Sequence, residues 1–416
     1  MSEIVTTSYN RPRFYRLLFI VVVLTLHVLF AMLPDLLTVF GVGKLGIWFR
    51  DSYAMLAASD AAQAGYNPFV ENPYDLSGER HIYSDWWYFL GKLGFDRTSY
   101  LKLGFGIVLA FWLAVMAVIP FRTRQDFWCA LALGLSPPVW LAVNRANPDL
   151  LVFAIMTLIV PMLLSERRVV RILATMPLAL ATGLKFFPIL GGIVLLCPAI
   201  SRRENLAKIA VTLVLLVFLA WSLQAGVKNN LGVSWLAMGQ FTFGAAAVPL
   251  KLGMDDVLGV TMGRVLGLGL VAYAFLRPSH TAQVESKADR RDQLFSLMGV
   301  AVLAGNFFLT VGFLYKGLFA LWVLPDCLRR IRDKTAFAPH AKLAVGCLIG
   351  LVWLMPIACV TSYEWLKWLA PTAEAPFRRG VSIAADLLAW GAMVPLVLIF
   401  GASLRACWMR GEKWVS

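Results

Sequence analysis

Apolar runs long enough to cross a lipid bilayer follow one another along almost the whole chain. They lie near residues 14–33, 101–120, 127–143, 150–164, 172–184, 188–200, 209–226, 258–276, 294–312, 316–328, 343–360 and 381–404. Apolar residues make up 59% of the chain and charged residues only 15%. Because such a chain cannot cover its surface with polar groups, the sequence predicts an all-α, polytopic membrane protein with about twelve transmembrane helices, within a range of about 10 to 13.

Basic residues stand between the apolar runs and do not gather on one face or in one tail. The formal net charge of +14 therefore does not indicate a nucleic-acid partner. With the amino terminus in the cytoplasm, most of the 38 Lys and Arg residues fall in cytoplasmic segments, as the positive-inside rule requires. The sequence predicts a single integral domain over residues 1–416 in the inner (plasma) membrane, with both termini cytoplasmic and the first run kept as an uncleaved anchor.

Three polar stretches, residues 34–100, 227–257 and 361–379, are predicted to form extracytoplasmic loops. In the first and longest of them, residues 51–64 are rich in helix-forming alanine, and the turn signals that follow end the pattern. This predicts a short amphipathic helix along the membrane surface. Asp51 stands at its start, where a carboxylate can cap free backbone amides. Capping is one interpretation of Asp51, and a catalytic role is the other.

Polar residues recur at the predicted outer ends of the apolar runs. They are Asp51, the turn from Asn144 to Asp149, Lys185, Tyr315-Lys316 and Tyr363-Glu364. Charged groups at membrane depth are costly and usually face a cavity or a pathway. Proline also interrupts the runs near residues 148 and 188, as it does where backbone lines a cavity. The sequence predicts one outward-facing polar site, and the alternative is that these residues cap helices or lie among lipid headgroups.

Four short motifs occur along the chain in a characteristic order. They are Asp51-x-Tyr53 with an Ala-rich helix and Gly65-Tyr66-Asn67-Pro68; Asn144-x-x-Asn147-x-Asp149; Ala181-Thr182-Gly183-Leu184-Lys185-x-x-Pro188; and Gly312-x-x-Tyr315-Lys316. In this order they resemble the GT-C superfamily of membrane glycosyltransferases. The similarity is greatest to glycosyltransferase family 87, whose bacterial members are mannosyltransferases that use polyprenyl-phosphate mannose. The similarity covers most of the chain up to about residue 330.

The resemblance implies an inverting hexosyltransferase with its site on the extracytoplasmic face. Such an enzyme moves a hexose, such as mannose, or a pentose from a polyprenyl-phosphate donor to a lipid-linked or envelope glycan acceptor. Asp51 matches the family's catalytic acid and is the expected general base. The expected substrate-binding residues are Arg50, Tyr53, Asn144, Arg145, Asn147, Lys185, Tyr315 and Lys316. The family has an arginine after the late tyrosine, whereas Lys316 offers a point charge instead of a bidentate fork.

The expected ligands follow from the same residues. Lys185, Lys316 and Arg145 are suited to stabilise a leaving phosphate, so no cofactor is expected and a divalent metal is not required. The cysteines and histidines lack metal-site spacing. The expected partners are membrane lipids, the polyprenyl-phosphate sugar and a glycolipid or glycan acceptor. Two alternatives remain: a lipid or glycan transporter or flippase without transferase activity, since broken helices also occur in transporters, and a noncatalytic scaffold in which Asp51 is dispensable.

Overall fold

The backbone is helical in nearly all of the chain that the structure describes. A computed structural model describes residues 11–39, 42, 46–197, 202–222, 242–276, 287–309, 312–369 and 374–409. Apart from helices, these residues contain a two-residue antiparallel pairing of β1 (Thr242–Phe243) with β2 (Gly312–Phe313). The predicted all-α class is therefore confirmed for the described residues.

The described residues form the following helices, in chain order. The α-helices are α1 Arg11–Met32, α2 Leu36–Val39, α3 Arg50–Gln63, α4 Phe89–Lys92, α5 Tyr100–Val118, α6 Arg124–Gly134, α7 Pro137–Arg145, α8 Pro148–Thr157, α9 Ile159–Leu163, α10 Arg168–Leu173, α11 Thr175–Leu184, α12 Arg202–Ser222, α13 Ala247–Lys251, α14 Asp256–Leu276, α15 Lys287–Leu309, α16 Ala320–Arg332, α17 Ala338–Leu369 and α18 Glu374–Met409. Further 3-10 helices lie at Asp85–Tyr88, Arg97–Ser99, Phe187–Leu196 and Leu314–Phe319.

Several of these helices are suited to a membrane. Five described segments are long and apolar enough to cross one, namely Pro12–Met32, Arg97–Val118, Val257–Leu276, Ala288–Leu309 and Gly380–Cys407. Helices α6 and α7 meet at a bend of 56° and make a sixth crossing if they form one broken span. Pro148–Leu163, Phe187–Leu196 and Ala338–Leu354 are shorter apolar helices. The described residues thus support a membrane protein, and the count of about twelve crossings stays a prediction.

The helix breaks predicted from proline are present. Helix α7 ends at Arg145, and Ala146 after it has left-handed backbone angles (φ 45°, ψ 52°). Asn147 then caps α8, which has Pro148 in its first turn, where the missing N–H of proline is harmless. Helix α11 likewise ends before Lys185, whose backbone is extended. The two breaks place polar side chains at helix ends, where they can leave the apolar packing.

The first polar loop contains a short helix at the predicted position, since α3 spans Arg50–Gln63, while its amphipathic placement along a membrane surface stays a prediction. A later part of this loop is fastened to the helical body. Ser84 caps the 3-10 helix Asp85–Tyr88 through its hydroxyl, which accepts from the Trp86 N–H, and the Trp87 indole N–H donates to the Leu184 carbonyl at 3.2 Å. The loop is therefore held against the end of α11.

The other two predicted loops are described only in part. Residues 227–241 of the loop at 227–257 lie outside the described residues, and the remainder contains α13 and the start of α14. Within the loop predicted at 361–379, α17 continues to Leu369 and α18 begins at Glu374. Residues 370–373 lie outside the described residues. The extracytoplasmic placement of both stretches stays a prediction.

Phe49 fixes where α3 begins. Its backbone is left-handed, with φ 61°, a conformation that costs a non-glycine residue roughly 1–2 kcal/mol. Two contacts compensate: the Phe49 N–H donates to the Asn144 carbonyl at 2.7 Å, and the buried ring lies directly against Gly104 of α5. A Cβ at Gly104 would come within 2.3 Å of that ring. Together, the hydrogen bond to Asn144 and the packing against Gly104 hold the first turn of α3, which contains Asp51, beside the end of α7.

We expect Gly104→Ala to lower the thermal stability of the purified protein, because the added methyl group collides with Phe49. Overpacking of this kind typically costs about 1–3 kcal/mol. Gly106→Ala on the same helix is the matched control, since no atom lies within 4 Å of the added Cβ. Unfolding temperatures measured in the same detergent should fall for Gly104→Ala alone. Equal temperatures for the two variants would contradict the packing role of Gly104.

Candidate functional site

The Asp51 carboxylate is held by two side chains from the break between α7 and α8. Arg145 binds it in a bidentate manner, with Nη2 2.6 Å from Oδ1 and Nε 3.1 Å from Oδ2. The Asn147 amide donates to Oδ2 at 2.6 Å. Asp51 itself is only 2% exposed. The capping interpretation of Asp51 is wrong, because the N-cap of α3 is Phe49, no side chain caps this helix and the carboxylate turns to Arg145 and Asn147.

A second carboxylate, Asp149, holds two lysines. Its Oδ1 lies 2.5 Å from the Lys185 ammonium and its Oδ2 lies 3.1 Å from the Lys316 ammonium. Asp149 is fully buried in the first turn of α8. Lys185 follows α11, and Lys316 lies in the 3-10 helix Leu314–Phe319. Three separate parts of the chain therefore meet at one buried carboxylate.

Asn147 joins the two carboxylates into one cluster. Its amide nitrogen donates to Asp51, while its Oδ1 accepts from the Asp149 backbone N–H at 3.0 Å. Tyr315 shares a side-chain hydrogen bond with Asn147 and interacts electrostatically with both acids. The Asn147 side chain thus fixes the position of Asp51 relative to Asp149. We call Asp51, Arg145, Asn147, Asp149, Lys185, Tyr315 and Lys316 the polar cluster.

Aromatic rings line the lysine side of the polar cluster. The Lys316 ammonium lies 3.3 Å from the centroid of the Phe187 ring. The Lys185 ammonium lies 5.2 Å from the Tyr83 ring and 5.8 Å from the Tyr315 ring. Cations are attracted to such ring faces, more strongly when water is removed. The rings therefore stabilise both ammonium groups without neutralising their charge.

Tyr83 brings a phenol from the first polar loop to the cluster. Removal from water raises the pKa of Tyr83 well above its ordinary value, and the negative charges of Asp51 and Asp149 raise it further, against the opposing effect of Arg145. The phenol therefore stays protonated at physiological pH and can donate a hydrogen bond to an anion. Nearby, burial lowers the pKa of His81 to about 4, so this ring stays neutral beside the Ser84 carbonyl, 3.0 Å from its Nε2.

The charges of the polar cluster do not balance. When Lys316 is protonated, Arg145, Lys185 and Lys316 carry three positive charges against the two carboxylates, and one net positive charge remains. The side chains of both carboxylates and of Lys316 are buried, that of Lys185 is 17% exposed and that of Arg145 is 28% exposed, and charges attract more strongly in such surroundings than in bulk water. A cluster of this kind can accommodate one further negative charge from a ligand.

The structure brings together six of the nine predicted site residues. These are Asp51, Arg145, Asn147, Lys185, Tyr315 and Lys316, whose side chains all belong to the polar cluster. The predicted outward-facing polar site thus has a counterpart in one set of contacts. These side chains therefore do not act only as separate helix caps, whereas the depth of the polar cluster in the membrane and its outward-facing placement stay predictions.

Three predicted residues make other contacts. Arg50 donates to Ser77 at 2.8 Å and pairs with Glu79 within the first polar loop. The Tyr53 hydroxyl donates to the backbone carbonyl of Tyr74 at 3.2 Å. Asn144 contributes its backbone carbonyl, which accepts from Phe49. Arg50 and Tyr53 therefore shape the loop, and their predicted role in binding a substrate stays a prediction.

Asp149 and Tyr83 are not among the predicted catalytic and substrate-binding residues. Asp149 was visible in the motif Asn144-x-x-Asn147-x-Asp149, but an acid in the first turn of a helix is readily explained by the helix dipole. Tyr83 lies in a stretch so rich in aromatic residues that it resembles an interfacial belt. The side chains of Tyr363 and Glu364 lie outside the described residues.

No protein-family model, curated protein or solved structure matches this chain. The resemblance to family 87 therefore rests on the four sequence motifs. Within the part of the chain that the structure describes, no three or more His, Cys, Asp or Glu residues are grouped as metal ligands would be.

We expect Asn147→Ala to destabilise the protein more than the loss of a helix cap alone. An N-cap substitution typically costs about 1 kcal/mol, and this one also removes a donor from the buried Asp51 carboxylate, which costs roughly 1–3 kcal/mol more. Thr123→Ala is the matched control. Thr123 caps α6 through its hydroxyl, which accepts from the Asp126 N–H, and neither residue belongs to the polar cluster. Thermal unfolding of both variants measures the difference. A loss for Asn147→Ala no larger than for Thr123→Ala would contradict the linking role of Asn147.

Proposed function

We propose that this protein is a membrane glycosyltransferase that moves a hexose or pentose from a polyprenyl-phosphate donor to a lipid-linked or envelope glycan acceptor. The observation that carries the proposal is that Asn147 joins the Asp51–Arg145 pair to Asp149, which holds Lys185 and Lys316. Transfer from a phosphate needs a base for the acceptor hydroxyl and fixed positive charge for the leaving phosphate. The polar cluster combines both within one set of contacts.

The net charge of the polar cluster fits this donor. A sugar joined to a lipid through one phosphate is a phosphodiester and carries a single negative charge. The cluster has one positive charge in excess, so such a ligand makes the site neutral. The phenol of Tyr83, which stays protonated, adds a neutral donor next to the same cations. Neutralisation of this kind favours binding of a buried anion.

The transfer step follows from these positions. Asp51 accepts the proton of the acceptor hydroxyl as the acceptor oxygen forms a bond to the anomeric carbon. The bond between that carbon and the phosphate oxygen breaks, and its electron pair leaves with polyprenyl phosphate. The leaving phosphate gains a second negative charge, which Lys185 and Lys316 stabilise. A single displacement of this kind inverts the anomeric configuration.

The proposed setting is the inner (plasma) membrane, with about twelve crossings, cytoplasmic termini and an extracytoplasmic site. Exposed faces of several helices support contact with lipid. Leu24 of α1, Val217 of α12 and Val265 of α14 are each more than half exposed. Large apolar side chains exposed in this way suit the hydrocarbon interior of a bilayer. The proposal places the polyprenyl tail of the donor in the same bilayer as these exposed faces.

Asp51→Asn is expected to lower transfer by about a hundredfold or more, the usual range for loss of a general base, while donor binding is retained. The assay supplies the purified protein with polyprenyl-phosphate sugars and glycolipid acceptors. Asp60→Asn is the matched control, because Asp60 lies on the same helix but accepts from the Arg97 backbone N–H at 3.2 Å. Equal turnover by wild type and Asp51→Asn would refute the base assignment. Lipid movement across vesicles without any transfer would support the flippase alternative instead.

Lys185→Ala and Lys316→Ala are expected to weaken donor binding by roughly ten- to a hundredfold each, as expected when a charge-assisted contact worth about 1.5–3 kcal/mol is lost. Lys251→Ala provides the control. Lys251 is a lysine of similar exposure, 18% against 17% for Lys185, and pairs with Asp386 at 2.6 Å, away from the polar cluster. Binding of a polyprenyl-phosphate sugar in detergent measures the effect. Unchanged affinity in both cluster variants would exclude the proposed phosphate site.

A further inference from the structure

Asp149 is an acid of the polar cluster that the proposed transfer step does not use. It is fully buried, and each of its oxygens contacts a different lysine. Two ammonium groups this close would repel each other without a carboxylate between them. Asp149 therefore keeps Lys185 and Lys316 side by side. Its negative charge also offsets one of their two positive charges, which lowers the net charge of the site by one.

We infer that Asp149 sets the net charge of the donor site, so that the site prefers a phosphate ligand with one negative charge over a ligand with two. This inference rests on the proposed function. The donor is a phosphodiester with one negative charge, whereas the product, polyprenyl phosphate, is a monoester. Its second ionisation has a pKa of about 6, so the product carries nearly two negative charges at neutral pH. The cluster neutralises the donor fully and the product only in part.

This charge difference has a consequence for turnover. A site with two excess positive charges would stabilise the departing phosphate, but it would also retain the product. Once Asp51 has released the accepted proton to solvent, and with Asp149 ionised, the dianionic product leaves one negative charge unbalanced in a buried site, which is unfavourable. Asp149 thus acts as a positioning residue that also promotes product release. It does not touch the reacting atoms, and its substitution should raise product inhibition more than it changes the chemical step.

The test compares two ligands with the same lipid tail. Polyprenyl phosphate and its methyl ester differ by one negative charge at about pH 8, and neither depends on the identity of the sugar. Their dissociation constants are measured by titration calorimetry on the full-length protein in detergent. Asp149→Asn is expected to shift the ratio of affinities toward the dianion by about tenfold, the size expected for one added charge nearby. Lys185→Gln is expected to shift the ratio about as far in the opposite direction.

Two further variants separate charge from general disruption. The double variant Asp149→Asn with Lys185→Gln restores the original net charge, so its ratio should return to within about threefold of wild type. Asp386→Asn removes an equally buried acid paired with Lys251, outside the polar cluster, and should leave the ratio unchanged. At about pH 5 both ligands carry one charge, so the effect of Asp149→Asn should disappear.

The outcomes distinguish this inference from the proposed function. If wild type binds neither ligand, the phosphate site and the inference both fail. If wild type binds the ligands and Asp149→Asn leaves their ratio unchanged, the inference alone fails. Because a buried variant can fail to fold, Lys185→Gln gives an independent result, and a ratio unchanged in that variant also overturns the inference.

Discussion

The pairing of Asp51 with Arg145 and Asn147 joins the first polar loop to the helical body. These residues lie more than 90 positions apart, with 94 separating Asp51 from Arg145. A buried carboxylate without partners is costly, and the loss of one partner from a buried pair typically costs about 3–5 kcal/mol. The break between α7 and α8 supplies both partners, since Arg145 ends one helix and Asn147 begins the next. The position of α3 therefore depends on where these two helices are interrupted.

The helix breaks themselves follow from local chemistry. Pro148 cannot continue a helix that includes Asn144, and the left-handed Ala146 turns the chain so that Asn147 can cap α8. Asn147 then has a free amide nitrogen, which reaches Asp51. The same geometry places Asp149 in the first turn, where the partial positive charge of the helix end favours an acid. One proline-containing turn thus positions two carboxylates and the side chain that links them.

Much of the local structure could be predicted from the sequence, because it depends on neighbouring residues. Alanine density gave α3 to within one residue at each end, and Pro148 and Pro188 marked real interruptions. The partners of Asp51 could not be predicted in this way, since they depend on how distant helices pack. Phe49 carries no sequence signal for a left-handed backbone, which only its contact with Gly104 and its bond to Asn144 make favourable. Asp149 looks like an ordinary acid at a helix start, because its partners Lys185 and Lys316 come from distant parts of the chain.

The bidentate contact of Arg145 bears on the proposed role of Asp51. With both of its oxygens occupied by guanidinium and one also by Asn147, Asp51 has little capacity left to accept a proton from an acceptor hydroxyl. A donor phosphate would compete with Asp51 for Arg145, since guanidinium binds phosphate and carboxylate through the same paired N–H groups. Arrival of the donor would therefore free one oxygen of Asp51. Under the proposed function, Arg145 keeps the base inactive in the empty site, and the donor must bind before the acceptor hydroxyl can be deprotonated.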